Sequence, residues 1–163
     1  MSAETFTSAL FLITAVIAAG VLINAVFPVV YNMAGTFSSA SHESDERMRT
    51  DFKVVATLGH SSDETAEIWI KNIGSSRVPL SDIEKSDVFF GPPDKFSRRA
   101  YSSQWVVDFT AVTYDINSNG YWDPGETILI TALSPVAFNS DDSLYFQFAL
   151  PNGIWRSIEF TSR

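Results

Sequence analysis

The sequence predicts an all-β sandwich of immunoglobulin-like size preceded by one long hydrophobic N-terminal helix. Three observations carry this. No charged residue occurs between Glu4 and Glu43. Beyond residue 50, short runs of alternating apolar and polar residues follow one another with turn residues between them. No helical period of useful length interrupts that second part.

The uncharged gap contains Phe6 to Tyr31, and from Ala9 to Val30 its only polar residues are Thr14 and Asn24. A bilayer core is crossed by roughly 20 apolar helical residues at about 1.5 Å each, so residues 1–34 are read as a transmembrane anchor or assembly helix. A cleaved secretory signal has a basic start and a shorter core. The start Met1-Ser-Ala-Glu4 has no Lys or Arg, so the helix is expected to stay on the mature protein. A helix apolar all round needs lipid or a large core, and one domain of about 110 residues does not supply that core. Ala15, Ala18, Ala19 and Ala25 lie on roughly one side, with Gly20 close by. They suit close helix–helix packing, or they are ordinary membrane-helix composition. Asn24 at depth calls for a partner group, Pro28 for a kink or an interfacial end, and Tyr31 fits an interfacial aromatic.

Residues 35–50 are small and polar, then densely charged. They form either a stalk or a continuation of the helix to near Met48; His42 is expected to be solvated. Arg47, Arg49 and Lys53 follow the helix, and the positive-inside rule taken alone would put that side in the cytoplasm. Glu43, Asp45 and Glu46 offset the first two, which weakens that assignment.

Residues 51–163 form the β domain. The chain has 163 residues, a net charge of −8 and no cysteine. Acidity argues against nucleic acid, whose phosphates need clustered Lys and Arg. The missing cysteine excludes disulfides, thiol catalysis and Cys-based zinc sites. Strands are expected at 51–58, 65–72, 78–80, 87–90, 105–114, 127–133, 143–150 and 154–160. In the second, Ala66, Ile68 and Ile70 share one face, and Glu67, Trp69 and Lys71 the other. Gly59 to Asp63 reads as a turn with His60 exposed in it, Gly91-Pro-Pro93 as a strand stop, and Pro151-Asn-Gly153 as a hairpin turn. Phe89 and Phe90 cannot face the same side of one strand.

One motif carries chemistry. Asp115-Ile-Asn-Ser-Asn-Gly-Tyr-Trp-Asp-Pro-Gly-Glu126 matches a twelve-residue calcium loop. Calcium takes hard oxygen ligands. Side chains of Asp115, Asn117 and Asn119, the Tyr121 carbonyl, then Asp123 and Glu126 would supply them, and Gly120 would allow the sharp turn. The flanks are strands, so this is a calcium loop in a β connection and not an EF-hand. An Asn/Asp/Gly-rich turn held by its own hydrogen bonds fits the same residues. No catalytic constellation is present and no small-molecule substrate is implied, so no enzymatic activity is expected.

Several segments together resemble one family. Asn24-Ala-Val-Phe-Pro28, Arg49-Thr-Asp51, Ile68-Trp-Ile-Lys-Asn-Ile-Gly74 and Ser86-Asp-Val-Phe-Phe-Gly91 are similar to those of the archaeal flagellar protein G family, accessory components of the archaellum related to protein F and to archaellins. Tyr121-Trp-Asp-Pro-Gly-Glu126 resembles segments of archaellins. The resemblance implies a pilin-like helix, in which Glu4 matches the acidic residue near the start, and a sandwich outside the cytoplasmic membrane. It implies a stator-like role that braces the motor, with itself, accessory protein F, a surface-layer protein and membrane lipid as partners. An archaellin or pilin-like filament subunit is the alternative. The sequence as given departs from archaellins in lacking a basic leader before the apolar run.

Overall fold

A computed structural model of the chain describes residues 2–108 and 119–163. It divides into two compact units, Met1–Ser44 and Asp45–Arg163.

Helix α1 runs from Ser2 to Arg49 without a break, so the segment that read as stalk or helix is helical. Its most apolar 18-residue window has a mean hydropathy of 2.5, and none of that window is buried. By length and composition the helix can cross a membrane. Hydroxyls within it are satisfied locally: Thr7 Oγ1 donates to the Ala3 carbonyl at 2.6 Å and Thr14 Oγ1 to that of Leu10 at 2.8 Å. Such back-bonding removes the cost of a hydroxyl facing hydrocarbon. Pro28 lies inside the helix, and Phe27 and Tyr31 stack with ring centroids 6.1 Å apart. Ala15, Ala18, Ala19 and Ala25 are all exposed in the isolated chain, as is Asn24.

The helix ends where Thr50 caps it. Thr50 N and Oγ1 both donate to the Glu46 carbonyl, at 3.0 and 2.8 Å. Arg47 and Arg49 in the last turn complement the negative end of the helix dipole.

The second unit is a sandwich of two four-stranded antiparallel sheets. Ten strands are described: β1 (Phe52–His60), β2 (Thr65–Asn72), β3 (Val78–Pro79), β4 (Asp87–Gly91), β5 (Ser97–Arg99), β6 (Trp105–Asp108), β7 (Tyr121–Trp122), β8 (Thr127–Leu133), β9 (Ser143–Ala149) and β10 (Trp155–Thr161), with a short helix α2 (Leu80–Glu84) between β3 and β4. One sheet has the order β1-β2-β8-β6 and the other β10-β9-β4-β5; β3 and β7 form a small separate pair.

Alternation decides which faces meet. Ala66, Ile68 and Ile70 of β2 pair with Ala132, Ile130 and Ile128 of β8, and all six are fully buried. From the other sheet, Val88 and Phe90 of β4 pair with Phe148 and Phe146 of β9. Apolar cross-strand pairs of this kind stabilise both sheets and fix their register. Phe148 then joins the layers, meeting Phe52 edge-on at 5.4 Å and Trp105 at 6.3 Å.

Several expectations need correction. His60 is not in a turn: it is the last residue of β1, opposite Thr65, half-buried, with Nε2 3.9 Å from Glu67. The turn follows it, and Glu64 takes a positive φ of 57° there. Helix α2 and strand β5 had no expected counterpart. The helix is anchored by the fully buried Ile83. β5 is a Ser-Arg-Arg run whose pairing with β4 comes from the neighbouring strand and not from its own polar composition. The strand expected over 105–114 is described only as β6, and its remainder lies outside the described residues. The Pro151–Gly153 hairpin turn is present, with Gly153 at φ 84° and its N–H donating to the Leu150 carbonyl at 2.9 Å. Phe90 is buried while Phe89 is half-buried, as opposite faces of one strand require.

Candidate metal loop and helix junction

Four of the six residues expected to hold a metal are described: Asn119, Tyr121, Asp123 and Glu126. Asp115 and Asn117 lie outside the described residues. The four share one tight loop. Asn119 Oδ1 accepts the Tyr121 N–H at 2.8 Å, an Asx turn, and Asn119 Nδ2 donates to Asp123 Oδ2 at 2.7 Å. Glu126 Oε2 accepts the Asp123 N–H at 2.8 Å. Gly120 and Gly125 supply the positive φ angles, 76° and 90°, that let the chain turn twice. Glu126 is only 6% exposed. A buried carboxylate needs donors around it, and the Asp123 amide is one. Among the described residues no three acidic or histidine side chains converge on one point.

The loop is tied to the core at both ends. Trp122 is buried with its ring 6.0 Å from Phe52, and its Nε1 donates to the Glu126 carbonyl at 3.0 Å. The Gly120 carbonyl accepts from Leu80 N at 3.2 Å. The Arg77 guanidinium lies over the Tyr121 ring, 4.6 Å from its centroid, a cation–π contact.

Asn72, at the end of β2, connects this loop to the helix end. It is 1% exposed. Its Nδ2 donates to the carbonyls of Trp122 at 3.0 Å and Ser76 at 2.9 Å, and its Oδ1 accepts from Gly74 N at 3.0 Å. Its backbone N–H and carbonyl pair with Glu126 O and Gly125 N, at 2.9 and 2.8 Å. The turn that Asn72 holds then receives the end of α1. Ser75 N and Ser76 N both donate to the Arg49 carbonyl, at 2.8 and 3.0 Å, and Ile73 N and Gly74 N to the Asp51 carbonyl, at 3.0 and 2.9 Å. The last carbonyls of a helix lack intrahelical partners, and here the 73–76 turn supplies one. Gly74 is required by space: a Cβ there would run into Arg49 O and lie 2.5 Å from Asp51 N. Arg156 Nη2 adds an ion pair to Asp51 Oδ1 at 2.6 Å.

Neither Asn72 nor Gly74 was singled out as a site residue from the sequence. The Asn-Ile-Gly run closing β2 was the available signal. An Asn followed two residues later by Gly marks an Asx-type turn, but not what the turn grips.

The family model of archaeal-type flagellins matches residues 3–160. A relative from Archaeoglobus fulgidus, described as an uncharacterized protein, is 28% identical over 161 residues, covering 94% of this chain and 95% of its own. Among solved structures, the archaellum periplasmic stator protein FlaG from Sulfolobus acidocaldarius aligns with a TM-score of 0.54 at 22% identity, covering 68% of this chain and 99% of that one. A structure of the FlaF and FlaG complex from the same organism aligns at 0.53 and 20%, covering 67% and 87%. The archaeal flagellum of Methanospirillum hungatei strain JF1 aligns at 0.58 and 14%, covering 91% and 90%. These structures share the fold: a sandwich in the FlaG case, and a chain spanning nearly all of this one in the filament case.

Proposed function

Since the chain belongs to the archaeal-type flagellin family, we propose that it is a non-catalytic structural component of the archaellum, a membrane-anchored stator-like protein that serves swimming motility. In this reading α1 sits in the cytoplasmic membrane and the sandwich lies outside it. The domain assembles with copies of itself, with an accessory protein of the F type and with the surface layer.

The observation that carries the reading is continuity. An exposed apolar helix of membrane-spanning length runs unbroken to Arg49, and the Arg49 carbonyl is held by two amides of the sandwich. The Arg49 end of the helix is thereby fixed within the domain by backbone hydrogen bonds. The small residues Ala15, Ala18, Ala19 and Ala25 offer the contact face for a second helix.

The filament-subunit reading has its own support: the archaeal flagellum structure aligns over the helix as well as the domain, 91% of this chain. Shearing native cells, separating appendages from membranes and measuring the intact mass of the protein in each fraction decides between the two. Protein confined to membranes supports the anchored reading. Protein in sheared filaments overturns it in favour of the subunit.

We further propose that the 115–126 loop holds a structural calcium ion. Asn119, Tyr121, Asp123 and Glu126 already sit within one turn, and Asp115 and Asn117 would complete the oxygen set. The ion would exchange the Asn119–Asp123 hydrogen bond for metal bonds. It would stiffen the loop against Trp122 and Asn72, and would supply charge neutralisation only. Chelator is expected to lower the melting temperature; equal melting with calcium and with chelator refutes the site.

A further inference from the structure

The end of α1 and the start of β1 are each complete without the other. Thr50 N and Oγ1 close the helix on the Glu46 carbonyl, so its last turn stays helical without help from the sandwich, and the Arg49 carbonyl can turn to water instead. Asp51 Oδ1 accepts the Phe52 N–H at 2.8 Å, and Phe52 is already in register with Asn72. Asp51 is therefore the one residue between a finished helix and a finished strand.

What crosses that residue is a series of hydrogen bonds outside both sheets. Ser75 N and Ser76 N hold the Arg49 carbonyl, and Ile73 N and Gly74 N the Asp51 carbonyl. The Asn72 side chain holds this turn through Gly74 N and Ser76 O. Asn72 is held in turn by the 119–126 loop, through Trp122 O, Gly125 N and Glu126 O. The flanking strands β3 and β7 pair over two residues only, Val78 with Trp122 and Pro79 with Tyr121, apart from the four-stranded sheets. Within 73–79 and 119–126 the buried apolar side chains are Val78 and Trp122, and Ile73 is exposed. A region held mainly by hydrogen bonds, with little apolar burial, opens at lower cost than the sheets beside it.

We propose that the 119–126 loop is a latch on a hinge at Asp51. Closed, it keeps the Arg49 carbonyl on the 73–76 turn. Open, the turn releases Arg49, the helix end keeps its Thr50 cap, and the chain turns at Asp51 while both sheets stay folded. The Arg156–Asp51 ion pair is half exposed at both ends and restrains the open state only weakly. The latch is worked from its far end, near the surface, where Asn119 Nδ2 meets Asp123 Oδ2 at 2.7 Å and Glu126 Oε2 holds the Asp123 N–H. Loosening those bonds frees Glu126, whose carbonyl receives both the Asn72 N–H and the Trp122 indole N–H. The latch needs no metal, so it is independent of the calcium reading, and it applies to stator and filament subunit alike.

The test is amide hydrogen exchange followed by nitrogen-15 NMR on the full-length chain in detergent micelles, with chelator present throughout. Ser75, Ser76, Asn72 and Gly125 should open together, with protection on the order of tenfold or more below that of Ile68 and Ile130 in the central strands. Thr50 should stay protected when they open, because its bond to Glu46 lies within the helix. Asp123→Ala removes the surface bond to Asn119 and leaves the 73–76 turn untouched. It should lower protection at Ser75 and Ser76 by roughly three- to tenfold and leave Ile68 and Ile130 unchanged. Three results overturn the proposal. In the first, Ser75 and Ser76 exchange only as fast as Ile68 and Ile130, so that the joint opens by global unfolding alone. In the second, Thr50 loses protection with them, so that the helix end melts and does not hinge. In the third, Asp123→Ala speeds exchange within 119–126 but not at Ser75 and Ser76, so that the loop does not control the joint. The first two are read on the unaltered chain and do not depend on how the variant folds.

Discussion

Replacing Asn72 by Ala deletes three side-chain hydrogen bonds at once, to Trp122 O, Ser76 O and Gly74 N. A hydrogen bond contributes about 0.5–1.5 kcal/mol net, and leaving a buried partner unsatisfied costs about 1–3 kcal/mol. Asn72 is 1% exposed and its bond to the Trp122 carbonyl is buried, so water reaches that carbonyl only after the structure opens, while Gly74 N keeps the Asp51 carbonyl. The turn 73–76 is nearer the surface and recovers part of the loss, which places the whole effect at about 3 kcal/mol. The unit Asp45–Arg163 has an unfolding entropy of about 0.25 kcal/mol/K at about 2 cal/mol/K per residue. The melting temperature should therefore fall by about 12 °C. All four tryptophans, Trp69, Trp105, Trp122 and Trp155, lie in this unit, so thermal unfolding followed by tryptophan fluorescence, on full-length protein in detergent, reports on the sandwich without the helix. Asn72→Asp should be worse than Ala, since it sets a carboxylate against two carbonyl oxygens. If Asn72→Ala melts within about 3 °C of wild type, less than one hydrogen bond's worth of stability is at stake. The junction as described would then be wrong.

Gly74→Ala drives a methyl group into backbone atoms of Arg49 and Asp51, and neither can rotate away. Tryptophan-monitored melting should show a loss of about 2–4 kcal/mol, whereas Gly20→Ala, with open space around it, should leave the domain's melting unchanged. Tyr101 Oη donates to Glu84 Oε1 at 3.1 Å, and burial, followed by that hydrogen bond and the Glu84 charge, raises the tyrosine pKa. A raised folded pKa gives stability that is present below the unfolded value, near pH 10, and is lost as pH rises through the folded value. Tyr101→Phe should therefore flatten the alkaline fall in stability above about pH 10 and remove one late-titrating phenol from the ultraviolet absorbance titration. Glu126→Gln removes the proposed calcium ligand and weakens the acceptor for Asp123 N. If calcium occupies the loop, it should erase the difference in melting temperature between calcium and chelator, and an undiminished difference in the variant would refute Glu126 as a ligand.

Strand identity was legible wherever alternation met burial. β2 reads as Ala66, Ile68 and Ile70 inward in the sequence, and all three are fully buried in the fold. The pattern failed where a strand is set by its neighbour. Ser97–Arg99 carries no apolar residue, and it becomes β5 because Val88 to Phe90 offer an open edge. His60 was misplaced because Gly59 resembles a turn signal. Gly59 is instead a strand residue whose missing side chain lets Leu144 and Ser162 approach; a Cβ there would lie 3.0 Å from the leucine methyl. The candidate loop was legible as a motif, and its connection to the helix was not. That connection runs from Glu126 through Asn72 and the 73–76 turn to Arg49, between segments that are distant in sequence. A local pattern carries no information about such pairings.

The same α1 suits both readings of the family, because lipid and the interior of a filament make similar demands on a helix. Each requires apolar side chains all round, and in each the polar exceptions must be satisfied. Thr7 and Thr14 satisfy themselves on their own backbone, so they are indifferent to the surroundings. Asn24 is different. It is exposed, and its amide has two donors and an acceptor that no threonine-like back-bond can meet together. In hydrocarbon such a group draws a second helix to it, with an interaction worth about 0.6–2 kcal/mol. Asn24 therefore favours association of α1 with another helix whether the assembly is a membrane-bound cluster or an appendage.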